Sequence, residues 1–266
     1  MTRYAKMFEQ TSAKDAIAFI PFVMLGDPNA EQCLAIIDQL IASGADGLEL
    51  GIPFSDPVAD GPVIQAASIR ALDQGMTPEK AFELLATVRQ RHPDVAIGLL
   101  LYSNLVYRAG IDKFYQNCSE IGIDSVLIAD VPIREAQRFD DYSQKYNVDA
   151  VHILPPRPSD DTLQKVAQFS KGYTYVLGRA GVTGTNVSAE MPTSDIMEKL
   201  AQHQAAPSVM GFGISTPQHV ADAKSHGFSG VISGSAVVSI IARHIDDDQS
   251  MLSELGEFVK EMKRAC

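Results

Sequence analysis

Short runs of aliphatic and β-branched residues recur along the chain, and most are followed by a stretch whose apolar residues return every three or four positions. The runs are Ala18–Leu25, Asp46–Gly51, Val95–Leu101, Ser125–Asp130, Asp149–Leu154, Tyr173–Gly178, Ser208–Gly213 and Gly230–Ser233. Each has the length of a strand, and the stretches between them have the period of a helix. They lie roughly 20 to 35 residues apart, except for a longer gap after the second. That gap has room for two helices. One covers Pro62–Gly75; the other opens at Thr77-Pro78-Glu79, a cap followed by proline at the first helical position. Arg3–Ala13 predicts an extra N-terminal helix capping the bottom of the fold, and Ser250–Arg264 a charged amphipathic helix that closes it.

Strands alternating with helices imply βαβ units and a parallel sheet. Eight such units in 266 residues predict a single α/β domain over 1–266, a closed (β/α)8 TIM barrel. An open dinucleotide-binding sheet would carry Gly-x-Gly-x-x-Gly after its first strand, where this chain has Leu25-Gly26-Asp27-Pro28. No Gly-Lys-Ser/Thr phosphate loop is present either.

Composition narrows the class of partner. Lys plus Arg is 22 and Asp plus Glu 33, a net charge of −11, and there is no basic block. Nucleic acid and anionic membrane are poor partners for such a chain, and any anionic ligand must be held by local donors. The three cysteines, Cys33, Cys118 and Cys266, are far apart and unpaired in pattern, as in a reducing compartment. The histidines show no metal-binding spacing, so no metal is expected. No apolar run approaches the length of a membrane span, and Met1–Lys14 lacks the apolar centre of a signal peptide. A cytoplasmic protein is the expectation.

The chemistry concentrates in Asp46–Pro62. Side chains at i and i+2 of a strand share a face, so Glu49 sits where an apolar residue belongs. A carboxylate on a buried face needs a partner or a task. The loop that follows adds Asp56 and Asp60, which fit either site acids or turn formers. Active sites of barrels lie at the C-terminal strand ends. Those ends supply Phe22 and Met24, Glu49, Leu100 and Tyr102, Leu127 and Ala129, and Tyr175 and Leu177. The mouth is therefore suited to a flat apolar ligand with few polar contacts. Tyr102 and Tyr175 read equally as core aromatics. The loops Gly178–Gly184, Gly211–Thr216 and Ser233–Ala236 are glycine-rich, and Gly234-Ser235 opens a helix, an arrangement that binds phosphate. No lysine stands at a strand end, which disfavours Schiff-base chemistry.

These residues also carry a resemblance. Pro21–Pro28, the long stretch Glu49–Gln65, Leu127–Pro132, Arg179–Gly184, Gly211–Ser215 and Ile232–Ala236 together resemble the motifs of the tryptophan synthase α subunits, in order and over essentially the whole chain. The resemblance implies retro-aldol cleavage of indole-3-glycerol phosphate to indole and glyceraldehyde 3-phosphate without a cofactor. It implies Glu49, Asp60 and Tyr175 as catalytic residues. Phe22, Leu100, Tyr102, Leu127 and Phe212 would wall the indole, and Gly184, Gly213, Gly234 and Ser235 would take the phosphate. Thr183 would close over the site and meet Asp60. It further implies a β subunit bearing pyridoxal phosphate, in an α2β2 heterotetramer, faced by Pro53 and Asp56. Two residues depart from the common pattern: Met24-Leu25 replaces Thr-Ala, and Gly178 replaces Ser. Two other readings of the same residues are a phosphate-sensing regulatory partner without activity and a different sugar-phosphate barrel enzyme.

Overall fold

The computed structural model describes residues 1–178 and 194–266. Its strands are β1 (Ala18–Met24), β2 (Gly47–Gly51), β3 (Ala96–Leu101), β4 (Ser125–Ile128), β5 (Asp149–Ala150), β6 (Ile153–Leu154), β7 (Thr174–Leu177), β8 (Ser208–Gly211) and β9 (Gly230–Ser233). All neighbours pair in parallel, in the order β5-β4-β3-β2-β1-β9-β8-β7-β6. The expected run Asp149–Leu154 is thus divided between two neighbours. Its first half pairs with β4 and its second with β7. Val151 N donates to Val126 O at 3.1 Å, and Tyr175 N to His152 O at 3.1 Å. The chain itself closes the cylinder there, so nine short strands make the eight-stave TIM barrel.

Every residue of β1 is buried, as a parallel strand covered on both faces requires. Ala18, Ile20, Phe22 and Met24 join the barrel interior with Leu127, Tyr173, Tyr175 and Ile232. Phe19 and Val23 point the other way, into the larger apolar layer between strands and helices. The alternation that the sequence showed is therefore an alternation between two cores.

The N-terminal helix Arg3–Ser12, capped by Thr2, turns Tyr4, Met7 and Phe8 inward under the barrel. The Tyr4 hydroxyl lies 2.8 Å from Ser125 Oγ. A Cβ at Gly98 would come within 2.7 Å of the former and 2.8 Å of the latter, so β3 needs glycine at that height. Both helices expected after β2 form. Pro62–Asp73 stops two residues short of the predicted end, and Pro78–Arg91 is capped by Thr77, whose side chain accepts from Lys80 N. After β3 the chain makes two helices, Ser103–Ala109 and Ile111–Ile121, broken at Gly110 with φ +82°. The last helix, Asp248–Ala265, packs on helix Ala30–Ala42. Among the described residues no helix is long and apolar enough to cross a membrane.

Two half-buried acids hold strand starts in register. Asp46 Oδ2 accepts from Phe19 N at 2.7 Å and from Lys263 Nζ at 2.6 Å. Asp124 accepts from Ile97 N at 2.8 Å, Arg89 at 2.8 Å and Arg3 at 3.0 Å. Removing one partner of a partly buried charged cluster leaves the others unpaired. Asp124→Ala should lower the free energy of unfolding in urea by about 3 kcal/mol; an unchanged midpoint would show the cluster to be energetically idle.

Candidate active site

At the C-terminal mouth, β2 presents Glu49 between Phe22 of β1 and Gly98 of β3. The residue is 1% exposed. Its Oε1 accepts a 3.0 Å hydrogen bond from the Tyr173 hydroxyl, and among the described residues no Lys, Arg or His pairs with it. Burial pushes its carboxyl up to about 8; the Tyr173 bond opposes that and the nearby Asp60 charge reinforces it. Glu49 is therefore a neutral acid at pH 7.

Asp60 sits where the loop after β2 enters helix Pro62–Asp73. Its backbone is fixed at both ends: Asp60 N donates to Pro57 O at 3.0 Å, and Gln65 Nε2 donates to Asp60 O at 2.6 Å. Burial raises its carboxyl to about 6, against a hydrogen bond from the Tyr102 hydroxyl. Asp60 is therefore mostly ionised at pH 7. Two acids of one cleft thus carry different charge states, because one is sealed and the other is less deeply buried.

The cleft encloses about 710 Å³, part of it open to solvent, and runs from β2 across β1 to β9 and β8. Phe22, Glu49, Asp60, Leu100, Tyr175, Phe212, Gly213, Gly234 and Ser235 all line it. Two predicted wall residues stand elsewhere. Leu127 is buried in the barrel interior beside Leu100 without lining the cleft, and Tyr102 is outside the lining, bonded to Asp60 and accepting from Ala59 N at 3.1 Å. Pro53 is buried, whereas Asp56 is exposed and Val58 beside it is 75% exposed. Thr183 and Gly184 lie outside the described residues.

Several functional positions escaped the sequence analysis. Ile64, Ile153, Ile214 and Ile232 complete the apolar wall, and Ser215 the polar end. Tyr173, two residues before Tyr175 on the same face, was discoverable from that spacing. Tyr175 itself fits only because β8 ends in glycine. A Cβ at Gly211 would fall 2.1 Å from its ring. Phe212, next along, holds φ +69° and sets its ring edge-on to Tyr175 at 6.4 Å. For a bulky residue that left-handed backbone costs of order 1–3 kcal/mol, which the surrounding structure must hold in place.

The far end of the cleft has the backbone donors that an anion would need. Helix Ser235–Arg243 starts at Gly234 with no side-chain cap, leaving first-turn N–H groups for a ligand. Gly213, with φ +79°, faces it, and the buried Ser233 hydroxyl donates to Ile214 O at 2.7 Å, pinning the β8 loop to β9. Among the described residues no cation lines the cleft, so a helix end stands in for one.

A barrel with a neutral acid, an ionised acid, an apolar slot and an uncapped helix end is suited to proton-assisted chemistry on a flat, anionic substrate. The family model described as tryptophan synthase alpha chain matches residues 8–266. The tryptophan synthase alpha chains of Photobacterium profundum and Vibrio cholerae are 52% and 53% identical over 265 residues, covering 100% of this chain and 98% and 99% of theirs. The structure of the alpha subunit from Legionella pneumophila superposes with a TM-score of 0.87 at 30% identity, covering 100% and 98% of the two chains. A structure of the tryptophan synthase α2β2 complex from Pyrococcus furiosus matches at 30% identity and TM-score 0.82, covering 92% and 97%. The chain belongs to the tryptophan synthase alpha chain family. It is a lyase and carries the α reaction of tryptophan biosynthesis.

Gly211→Ala should drive the Tyr175 ring into the cleft and lower kcat/KM about 10²-fold, with much of the loss in KM. Steady-state kinetics within about twofold of wild type would mean that the ring is not held by this contact.

Proposed function

We propose the following division of labour for the α reaction, the cleavage of indole-3-glycerol phosphate to indole and glyceraldehyde 3-phosphate. Glu49 donates its proton to indole C3, and the ring becomes an indoleninium cation. The carboxylate of Asp60 accepts the ring N–H and stabilises the positive charge as it grows, an interaction strengthened by exclusion of water. The bond between C3 and the glycerol chain then breaks, its electron pair returning to the ring. Glu49, now a carboxylate, takes the proton of the adjacent hydroxyl as that carbon becomes the aldehyde. It ends protonated, ready for another turnover. The indole ring is the electron sink, so no lysine and no cofactor is required.

The observation that carries this assignment is a sealed, cation-free Glu49 and a less deeply buried Asp60 lining one apolar cleft, among the described residues, which favours a proton on the first and charge on the second. Phe22, Leu100 and Phe212 hold the ring, Tyr175 orients the substrate, and Tyr102 and Leu127 support the wall from behind. Gly213, Gly234 and Ser235 take the phosphate through backbone N–H groups and the hydroxyl. Thr183 and Gly184 keep the closing and phosphate-binding roles that the family resemblance implies. For its partner we propose a β subunit carrying pyridoxal phosphate, in an α2β2 assembly in the cytoplasm. Asp56 and the exposed Val58 would meet that partner, with Pro53 shaping the loop from beneath.

The charge states dictate the pH profile. The active form needs Asp60 ionised and Glu49 protonated, so kcat/KM should rise through about 6 and fall through about 8. Glu49→Gln, which keeps the shape but cannot donate the proton, should lower kcat roughly 10³-fold while substrate still binds. Asp60→Asn should remove the acid limb and most of the rate. Undiminished turnover in Glu49→Gln would overturn the assignment.

A further inference from the structure

Asp27 follows β1 in a loop that lines no part of the cleft, yet its carboxylate is fully buried. Arg70 meets it with two parallel bonds, Nε to Oδ1 at 2.7 Å and Nη2 to Oδ2 at 2.8 Å. Such a fork fixes direction as well as distance. What it joins gives it a role. Asp27 N donates to Met24 O at 3.1 Å, and Leu25 N donates to Gly51 O at 2.9 Å. Asp27 is thereby anchored to the ends of β1 and β2, the latter being the strand that carries Glu49. Arg70 stands on the third turn of helix Pro62–Asp73, whose entry bears Asp60.

That helix is an insertion in the βαβ pattern, followed by a second helix before the next strand. It lies against β1 and helix Ser235–Arg243 through a face of small residues: Ala67, Ser68 and Ala71, with Ile64 at the cleft. Small residues interdigitate little, so packing alone defines its position along its own axis weakly. A second contact on the same face is soft, the Ser68 hydroxyl 3.7 Å from Met24 Sδ. Gln65 ties Asp60 rigidly to the first turn, so a shift of the helix moves Asp60 with it.

We infer that the Asp27–Arg70 fork is a positioning pair for the α reaction: it sets where Asp60 stands relative to Glu49 by locking the inserted helix to the β1–β2 ends. Neither residue touches the substrate. The inference rests on Asp60 acting at the ring, and the two ideas separate experimentally. Asp60→Asn with normal activity would remove Asp60 from the mechanism, whatever Arg70 does.

The test is Arg70→Lys, which keeps the charge and loses the fork, assayed in parallel with the double variant Asp27→Asn with Arg70→Gln, which removes both charges. Thermal unfolding of each would be recorded, and kinetics run well below the lower midpoint so that only folded enzyme is compared. With the helix free to shift, Asp60 gains water. Both variants should then lose about tenfold in kcat/KM, and the acid limb should move below its wild-type position near 6. A merely structural pair would give lower unfolding midpoints with kcat/KM and the acid limb of the folded enzyme unchanged. That result in Arg70→Lys, or in the double variant should Arg70→Lys not fold, would overturn the inference.

Discussion

A carboxyl group sealed into an apolar barrel mouth, with a tyrosine hydroxyl for company and no cation paired to it among the described residues, must keep its proton. The site follows from that constraint on Glu49. A salt bridge in the same place would have made it a carboxylate at neutral pH, unable to protonate carbon. Asp60, in the loop that follows β2, has the opposite requirement in the proposed reaction and meets it through shallower burial and the Tyr102 hydroxyl. The two environments separate the proposed acid from its proposed electrostatic partner, with no cationic side chain lining the cleft among the described residues.

Among the described residues the proposed anion end is likewise free of charged side chains. A lysine or arginine in the cleft would pull Glu49 toward its ionised form, whereas the uncapped helix at Gly234 supplies partial positive charge from backbone groups that do not titrate. The acid balance of the chain, −11 overall, is then no obstacle, because the donors act at contact distance. Rigidity has to come from elsewhere, and it does: the Asp27–Arg70 fork, the Ser233–Ile214 bond and the glycine under Tyr175 hold the walls from outside the cleft.

Much of the barrel was legible in the sequence because its signal is redundant: eight apolar runs report the same architecture. Glu49 was legible because one charge in an apolar strand breaks a pattern. The features that were not legible are nonlocal or lack contrast. The division of Asp149–Leu154 between two neighbours leaves no trace in a run that stays mostly apolar. Ile64, Ile153 and Ile232 line the cleft but look like any core isoleucine. Tyr102 has the strand-end position of a wall residue, and only its bond to Asp60 reveals that it supports the site from behind. Asp27 and Arg70 lie 43 residues apart, and neither looks unusual alone. Asp56 and Asp60 are indistinguishable as loop acids by residue pattern alone; the family resemblance tells them apart, and so does burial, one being exposed and one 6% exposed.

The central claim is that Glu49 carries a proton at neutral pH before substrate arrives. Carboxyl-selective 13C NMR of glutamate-labelled protein reports this directly, with the Glu49→Gln variant identifying the resonance. The account predicts a signal at the shift of a protonated carboxyl at pH 7, moving to that of a carboxylate with a midpoint of about 8. A midpoint near 4.5, the ordinary glutamate value, would contradict it.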